Sequence, residues 1–201
     1  MSNQYFTNKP TVDHDLRTIT DNLRGFDLKF WTDAGVFSRG GIDFGSKLLI
    51  ETMDIPAGAE VLDIGCGYGP VGITAAKLAA DARITMVDVN ERAVELATRN
   101  LAQNGVINAE VFVSDLYENL NGRKFDRILT NPPIRAGKAT VHAVFEGAVS
   151  HLSENGELWV VIQKKQGAPS AKKKLEELFA DVEDVARDAG FRIFRCRAIL
   201  G

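Results

Sequence analysis

The stretch VLDIGCGYGP, residues 61–70, decides the fold expected for this chain. Its first residues are apolar and β-branched, as at the end of a buried strand, and the following VGITAAKLAA, residues 71–80, predicts a helix. Gly65, Gly67 and Gly69 lie between the two, so a ligand can approach bare backbone beside the N–H groups of the helix. The same glycines also fit a tight strand-to-helix turn in any α/β protein, and the motif alone leaves both interpretations open.

An aspartate precedes the glycines, which separates this motif from the dinucleotide-binding pattern G-x-G-x-x-G. In that pattern the second and third glycines lie farther apart than Gly67 and Gly69 do here. A carboxylate at Asp63 can pair with a cationic group of a ligand, such as an α-ammonium. Cys66, between two of the glycines, is interpreted as a small residue that fits a tight turn rather than as a nucleophile.

The composition is that of an ordinary globular protein, with 45% hydrophobic and 25% charged residues in a chain of 201. This length predicts one domain with a substantial core. The formal net charge of −3 excludes a general polycation, so contact with nucleic acid must depend on a local basic patch. Two cysteines without metal-ligand spacing favour a reducing compartment and predict no metal site. Because no leader or membrane-spanning segment is evident, we expect a cytoplasmic protein without a membrane partner.

From the glycine motif onward, apolar runs typical of strands alternate with helical stripes. Such alternation predicts right-handed βαβ units and a parallel sheet with helices on both faces. The last two runs are close enough in sequence to form a hairpin, which turns one strand antiparallel. The fold class is therefore α/β, a Rossmann-like doubly wound, mostly parallel seven-stranded sheet with an antiparallel C-terminal strand. The predicted strands are 60–62, 84–89, 110–113, 125–130, 158–162, 182–185 and 191–199.

The segment before this sheet is less regular. Residues 1–25 are polar and weakly periodic, which predicts an N-terminal arm or short helix, and residues 26–201 then form the domain itself. Residues 28–31 predict a strand. The glycine-punctuated stretch 35–45 is either a binding loop or a flexible connector. Ser46 is expected to cap the helix that follows.

Polar residues end four of the predicted strands, at the edge where ligands bind in such folds. Asp88 is placed to accept from both hydroxyls of a ribose, and Asp115 from an adenine amino group. Each alone is more typical of a helix cap or a turn. Together with Asp63 and the glycine turn, they describe a pocket for an adenosine joined to an amino-acid-like tail, as in S-adenosyl-L-methionine.

The fourth of these strand ends carries the sequence NPPI, residues 131–134. Two prolines fix φ twice and cannot continue the strand, so the turn is rigid. An exocyclic amino group on an aromatic ring is a poor nucleophile, because its lone pair is delocalised into the ring. Acceptors at the Asn131 side chain and the Pro132 carbonyl can hold its two protons and direct the lone pair at a methyl donor. The alternative is a simple strand-ending turn.

These motifs carry a family resemblance. Residues 61–69 resemble the glycine motif of class I S-adenosylmethionine-dependent methyltransferases, and residues 131–133 resemble their amino-methylating motif. The stretch GVFSRGGIDFGS, residues 35–46, is similar to the segment preceding the glycine motif in RsmC-like 16S rRNA guanine-N2 methyltransferases. NPPIRAGK, residues 131–138, resembles their single-domain relatives, the methyltransferase small domain.

The resemblance implies three groups of site residues and a partner, ribosomal RNA or the small ribosomal subunit. The catalytic group is Asn131, Pro132, Pro133 and Ile134. The group that would bind the cofactor S-adenosyl-L-methionine is Asp63, Gly65, Cys66, Gly67, Gly69, Asp88, Val89, Asp115, Leu116 and Asn131. The group that would bind the substrate is Phe37, Arg39, Arg135 and Lys138.

Two departures from the family pattern affect the substrate. Many amino methyltransferases have an aromatic residue after the prolines, where this chain has Ile134, so Phe37 and Phe44 are the candidates for stacking on a base. The two-domain relatives also carry an extra N-terminal domain linked to RNA binding, whereas this sequence has only residues 1–25 ahead of its predicted domain. Phosphate contacts are expected from Arg135, Lys138 and the lysines at 164–165 and 172–174. For residues 172–174 a solvated helix face is equally consistent.

The Asn-Pro-Pro turn favours methylation of an exocyclic amino group, and the resemblance implies that this group is guanine N2 of 16S rRNA. Adenine N6 and a protein glutamine amide are alternatives, because Asn-Pro-Pro serves those reactions as well. A nicotinamide-dependent dehydrogenase conflicts with the glycine spacing. A non-catalytic RNA-binding protein with a vestigial pocket is the remaining alternative. His142 and His151 are assigned no chemistry, and the oligomeric state is not assigned.

Overall fold

The structure is a computed structural model and describes residues 8–199. Within that range the chain forms a two-stranded hairpin and a seven-stranded sheet with five α-helices. The strands are β1 Arg17–Leu23, β2 Phe26–Thr32, β3 Glu60–Ile64, β4 Arg83–Asp88, β5 Ala109–Val113, β6 Phe125–Thr130, β7 Leu152–Gln163, β8 Phe179–Asp188 and β9 Phe191–Ile199. The helices are α1 Phe44–Thr52, α2 Pro70–Leu78, α3 Glu91–Gln103, α4 Lys138–His151 and α5 Ala168–Leu178.

The large sheet has the strand order β5-β4-β3-β6-β7-β9-β8. Strands β3 to β7 run parallel, and β9 is antiparallel to both of its neighbours. The predicted fold class, a mostly parallel seven-stranded sheet with an antiparallel C-terminal strand, is confirmed. The order reverses between β3 and β6, which makes the carboxyl ends of these strands the place where a ligand binds.

Both faces of the sheet are covered, which explains why its central strands read as continuous apolar runs. On β3, Val61 belongs to the core that packs beneath α1, α2, α3 and the hairpin. Leu62 and Ile64 belong to the second core, beneath α4 and α5. Side chains of one strand alternate between faces, so a single short segment contributes to both cores. The only buried polar side chain within β3 is Asp63, which lies near its carboxyl end.

The N-terminal segment differs from its prediction, because its described part holds strand β1 rather than a short helix. The strand predicted at residues 28–31 is confirmed as part of β2, which pairs with β1. The turn between them, Arg24 and Gly25, has φ values of 53° and 87°, the positive values that a two-residue hairpin requires. Most side chains of β1 are exposed, and its polar composition therefore hid the strand. The domain boundary at residue 25 remains a prediction, and residues 1–7 lie outside the described residues.

Two further local predictions are corrected. The cap of α1 is Asp43, whose Oδ1 accepts from the Ser46 N–H at 3.1 Å, so Ser46 lies inside the first turn. Strand β7 begins at Leu152, ahead of the predicted 158–162, and its register against β6 shifts between Phe125 and Arg127. A Cβ at Gly156 would lie 2.7 Å from the Phe125 carbonyl oxygen, so this irregularity requires glycine.

The C-terminal hairpin of β8 and β9 is confirmed, with a turn at Ala189 and Gly190 whose φ values are 45° and 82°. None of the helices within residues 8–199 combines the length and apolar character needed to cross a membrane.

Candidate cofactor and active site

The glycine turn joins β3 to α2 and leaves backbone open on one side. Gly65 and Gly67 have φ values of 71° and 56°, and a Cβ built at either would meet no atom within 4 Å. Gly69 is different, because a Cβ there would lie 2.8 Å from the Met86 side chain. Two of the three glycines therefore leave space that a ligand can occupy, while the third is needed for packing inside the protein.

The turn is anchored to the neighbouring strand β4. The N–H groups of Gly65 and Cys66 both donate to the Val87 carbonyl, at 2.9 and 3.0 Å. The Cys66 side chain is buried. Burial and the nearby Asp88 and Asp63 carboxylates raise the pKa of the Cys66 thiol well above its usual range. The thiol stays protonated, in agreement with its interpretation as a turn-filling residue rather than a nucleophile.

Asp63 lies buried at the carboxyl end of β3, facing the first turn of α2. Its Oδ2 accepts from the Gly72 N–H at 2.9 Å. Burial raises the pKa of Asp63 to about 7, with a further upward contribution from Asp88 and an opposing one from the Gly72 N–H. A carboxyl group with a pKa near neutrality ionises readily when a cationic ligand group approaches it. Asp63 is therefore suited to a ligand with a positive charge.

Asp88 closes the turn from the end of β4. Its Oδ2 accepts from the Gly67 N–H and its Oδ1 from the Asn90 N–H, both at 2.9 Å. Burial raises the pKa of Asp88, which these N–H donors oppose. The residue two positions on, Asn90, caps α3, since its side chain accepts from the N–H groups of the first turn. Val89 follows Asp88 and is half-buried. Asp88 thus both shapes the glycine turn and presents a carboxylate at the ligand edge.

The end of β5 lies beside the end of β4, because the Ser114 N–H donates to the Asp88 carbonyl at 3.0 Å. Asp115 is exposed directly after it. Leu116 has a φ of 47°, an unusual value for a residue with a side chain. The carboxylates expected to hold the methionine, ribose and adenine parts of the cofactor therefore lie at the carboxyl ends of three adjacent strands.

The Asn131 side chain is held by the first turn of α1. Its Nδ2 donates to Asp43 Oδ1 at 3.1 Å and to Ser46 Oγ at 3.0 Å. Both N–H hydrogens are thereby used, which leaves Oδ1 as the acceptor of this amide. Asp43 and Ser46 were missed as site residues in the sequence. The cap pattern alone could have pointed to Asp43, but nothing in it indicates a bond to Asn131.

The two prolines form a tight turn. Pro133 has φ −75° and ψ 74°, the values of an inverse γ-turn, and the Ile134 N–H donates to the Pro132 carbonyl at 2.8 Å. A carbonyl oxygen has two lone pairs, so one remains for an incoming donor. Ile134 is half-buried against the core beneath α4. The turn expected at the two prolines is present, and one lone pair of the Pro132 carbonyl is already engaged.

The predicted substrate residues are unevenly placed. Phe37 and Phe44 are 45% and 42% exposed, and the Phe44 ring contacts Phe191 with 5.5 Å between centroids. Arg39 pairs with Asp15 at 2.6 Å, whereas Arg135 and Lys138 are exposed. Both phenylalanines are thus open to a ligand on at least part of their surface, as stacking on a base requires.

Other charged and aromatic groups have partners within the protein. Lys172 pairs with Glu176, and Lys174 pairs with Glu146, each at 2.6 Å, which agrees with a solvated helix face for these two lysines. His151 stacks on Tyr117 with 4.6 Å between the ring centroids, a contact that the sequence did not indicate. Among the described residues, no group of three or more His, Cys, Asp or Glu side chains is placed to hold a metal ion.

The glycine turn is also held by a side chain from α3, outside the sheet. The buried Asn100 side chain on α3 donates to the Tyr68 carbonyl at 2.8 Å and to the Trp31 carbonyl at 3.0 Å. It also accepts from the Trp31 N–H at 2.7 Å. One amide therefore connects the turn to strand β2 of the hairpin. An asparagine in a helical stripe gives no sign of this role in the sequence.

The strand order, the open glycine turn and the carboxylates at three strand ends define a Rossmann-like methyltransferase domain. The chain belongs to the methyltransferase small domain family, whose model matches residues 27–195. It is 49% identical over 201 residues to the uncharacterized protein YbxB of Bacillus subtilis, with 99% of this chain and 100% of that protein covered.

Two further relatives are named for their activity. The ribosomal RNA small subunit methyltransferase C of Klebsiella pneumoniae is 37% identical over 191 residues, covering 93% of this chain and 54% of that protein. The 16S rRNA N2 methyltransferase RsmC of T. thermophilus, solved with AdoMet and guanosine, superposes with a TM-score of 0.81 at 26% identity. That match covers 91% of this chain and 50% of the other. The chain thus spans about half the length of the two named methyltransferases.

S-adenosyl-L-methionine is the cofactor that this family and the AdoMet complex support. The residues present fit it, because Gly65 and Gly67 leave open backbone beside two carboxylates. When bound, the cofactor supplies an electrophilic methyl group on a sulfonium.

Proposed function

We propose that the protein transfers a methyl group from S-adenosyl-L-methionine to the exocyclic N2 of a guanine in 16S rRNA. The observation that carries the proposal is the orientation of Asn131. Its N–H groups are bound by Asp43 and Ser46, so its Oδ1 is the acceptor available to a substrate amino group. Named relatives that methylate small-subunit rRNA, and a neighbour solved with guanosine, support the choice of substrate.

Catalysis in this proposal consists mainly of orientation and electrostatics. The Asn131 Oδ1 and the remaining lone pair of the Pro132 carbonyl accept from the two hydrogens of the amino group. This turns the nitrogen lone pair out of conjugation and towards the methyl group. As the new C–N bond forms and the sulfonium C–S bond breaks, the same two acceptors stabilise the developing ammonium. The extra proton then passes to solvent, and no general base is needed before transfer.

The remaining site residues hold the two reactants. Asp63 faces the cationic amino-acid end of the cofactor, Asp88 the ribose and Asp115 the adenine amino group. Phe37 and Phe44 cover the target base. They supply the stacking surface that an aromatic residue provides in many amino methyltransferases at the position of Ile134. The partners are ribosomal RNA or the small ribosomal subunit, and a cytoplasmic location follows from them.

The test is transfer of radiolabelled methyl to small-subunit rRNA and to 30S particles that lack their own modifications, followed by nucleoside analysis. We expect the wild type to place label in N2-methylguanosine. The Asn131→Ala variant should transfer label only at a small residual rate. Label in N6-methyladenosine, or in a ribosomal protein, would replace guanine N2 by one of the alternative acceptors. RNA binding without any transfer in the presence of bound cofactor would favour the non-catalytic alternative.

A further inference from the structure

A cleft of about 210 Å³ opens between the first turns of α4 and α5. Its apolar lining comes from Ile134, Val141 and Ala171, and its polar lining from Lys138, His142 and Ser170. This volume lies below the roughly 300–1,000 Å³ of ordinary ligand pockets. The cleft therefore suits one small planar group with an apolar face and polar edges, and it is too small for a whole cofactor.

The cleft is continuous with the loop that we assign to the target amino group. Ile134 lines it and also donates its N–H to the Pro132 carbonyl at 2.8 Å. A group bound in the cleft would therefore contact Ile134, which lies only two residues after Pro132, one of the two proposed acceptors. That proximity favours a group covalently attached to the target base rather than an independent ligand.

Cationic side chains surround the cleft, although the whole chain has a net charge of −3. Arg135 and Lys138 follow Ile134 in the chain. Residues 164–165 lie in the short 3₁₀ turn just before Gly167, which also lines the cleft. All four cations are exposed, and no ion pair to any of them occurs within residues 8–199. The acid nearest along α4, Glu146, is paired with Lys174. An unbalanced cluster of this kind attracts phosphates.

The two helices add to this positive field. α4 and α5 begin after Gly137 and Gly167, and neither glycine provides a side-chain cap for the first-turn N–H groups. Uncapped helix starts favour an anion nearby. The two helix starts thus add to the attraction for phosphate that the four cations beside the cleft already provide.

We propose that this cleft receives the nucleobase next to the target in a single-stranded RNA segment, with Arg135, Lys138 and residues 164–165 against the flanking phosphates. Single-stranded RNA is recognised by such a combination, in which bases lie against apolar or planar side chains and cations follow the backbone. The His142 ring offers a planar surface, and Ser170 offers a hydrogen-bond partner for a base edge. This inference rests on the proposed function, because it takes the target base to lie at Asn131.

The test uses the full chain with S-adenosylhomocysteine and a fluorescent ten-nucleotide single-stranded RNA that carries one central guanine, measured by anisotropy over a range of KCl. For Lys164→Glu/Lys165→Glu we expect at least tenfold weaker binding. The slope of log affinity against log salt should fall by about 1.4, since each lost phosphate contact on a single strand contributes about 0.7. Ser170 is exposed at the cleft, so Ser170→Trp should fill the cleft without disturbing the core. We expect this variant to bind RNA at least fivefold more weakly at unchanged S-adenosylhomocysteine affinity.

The matched control is Lys77→Glu/Lys124→Glu. It makes the same change in net charge at the opposite edge of the sheet, in the last turn of α2 and just before β6. We expect its RNA affinity to stay within twofold of the wild type. Equal binding losses in the two double variants would overturn the proposal, as would equally tight binding of a glutamate-rich peptide.

The experiment also separates the cleft from the reaction. A 4-thiouridine placed next to the guanine should cross-link to residues 134–142 or 167–171, and cross-links only elsewhere would overturn the proposal. If rRNA gains N2-methylguanosine while the cleft variants bind RNA as the wild type does, the cleft is wrong and the function stands. If the variants lose RNA binding but the wild type never forms N2-methylguanosine, the cleft stands and the assigned reaction fails.

Discussion

Asn131 donates through Nδ2 to Asp43 Oδ1 at 3.1 Å, joining the turn after β6 to the cap of α1. The same Oδ1 accepts from the Ser46 N–H, so one carboxylate oxygen both starts a helix and orients the side chain that we assign to the substrate. The position of Asn131 is therefore determined by a residue from a distant part of the chain.

Replacing Asn131 by alanine removes an acceptor that is needed most as positive charge develops on the substrate nitrogen. We expect Asn131→Ala to lower kcat about a hundredfold or more. Cofactor affinity, measured by calorimetry, should stay nearly unchanged. An equal loss of cofactor affinity would show that the residue holds the cofactor rather than the acceptor.

Asp43 can be tested separately from its capping role. Serine caps helices well but is one bond shorter, so Asp43→Ser should preserve thermal stability and still release Asn131. We expect kcat to fall about tenfold at constant KM for the cofactor, because the variant loses one contact that positions Asn131. Asp43→Asn keeps an acceptor for both bonds and should behave nearly as the wild type. If the serine and asparagine variants have the same kcat, Asp43 does not position Asn131.

Gly65→Ala distinguishes a ligand cradle from a merely tight turn. The new Cβ would meet no protein atom, and only the left-handed backbone conformation adds strain, about 1–2 kcal/mol. We expect that modest loss in unfolding free energy together with at least tenfold weaker S-adenosyl-L-methionine binding. Gly58→Ala is the matched control, because Gly58 has a similar φ of 68° and open space but precedes β3. If both variants bind the cofactor as the wild type does, the space beside Gly65 is not used.

The raised pKa of Asp63 predicts a pH-dependent stability. Its folded value of about 7 exceeds its ordinary 3.8, so the folded chain binds a proton more tightly than the unfolded chain. The stability that this proton contributes is present in full below about pH 4 and is lost as pH rises to 7. The unfolding free energy of the wild type, measured with urea, should therefore fall relative to Asp63→Asn between these values and level off above them. A difference that is constant with pH would mean that the pKa of Asp63 is not raised.

Gly147→Ala should destabilise the protein, although alanine is favoured over glycine in helices by about 1 kcal/mol. The added Cβ would lie 2.3 Å from the Tyr117 ring, which is fixed by its hydroxyl bond to the Val144 carbonyl and by stacking on His151. Overpacking of this kind costs about 1–3 kcal/mol. In a Tyr117→Leu background the same substitution should cost less, and additivity of the two changes in urea unfolding would exclude the contact.

The parallel sheet could be predicted from sequence because its signals are local. Strand β6 was predicted at its observed bounds, since a buried parallel strand is a short apolar run between turn residues. The hairpin strand β1 was not predicted, because most of its side chains are exposed and polar and so do not form the apolar pattern of a buried strand. The start of β7 was also missed, because a bulge opposite Phe125 extends the strand through residues that resemble a turn.

The site divides in the same way. Asp63, Asp88 and Asp115 could be placed together because each lies within two residues of the end of a strand, and parallel strands share one carboxyl edge. The bond from Asn131 to Asp43 could not, since it joins the turn after β6 to a helix cap ahead of β3. Arg39 resembles a free cation in sequence, yet it is paired with Asp15. Contacts between distant segments depend on the packed fold, which a local pattern does not describe.

The bridge made by Asn100 has a consequence for the working size of the domain. Because this amide bonds both Trp31 and Tyr68, the hairpin and the glycine turn share one support, and we expect them to open as one cooperative unit. A chain trimmed to the seven-stranded sheet would keep its strands but lose the support behind its cofactor turn. The smallest piece able to hold its ligand therefore includes the hairpin of β1 and β2, although we assign no residue of that hairpin to the reaction.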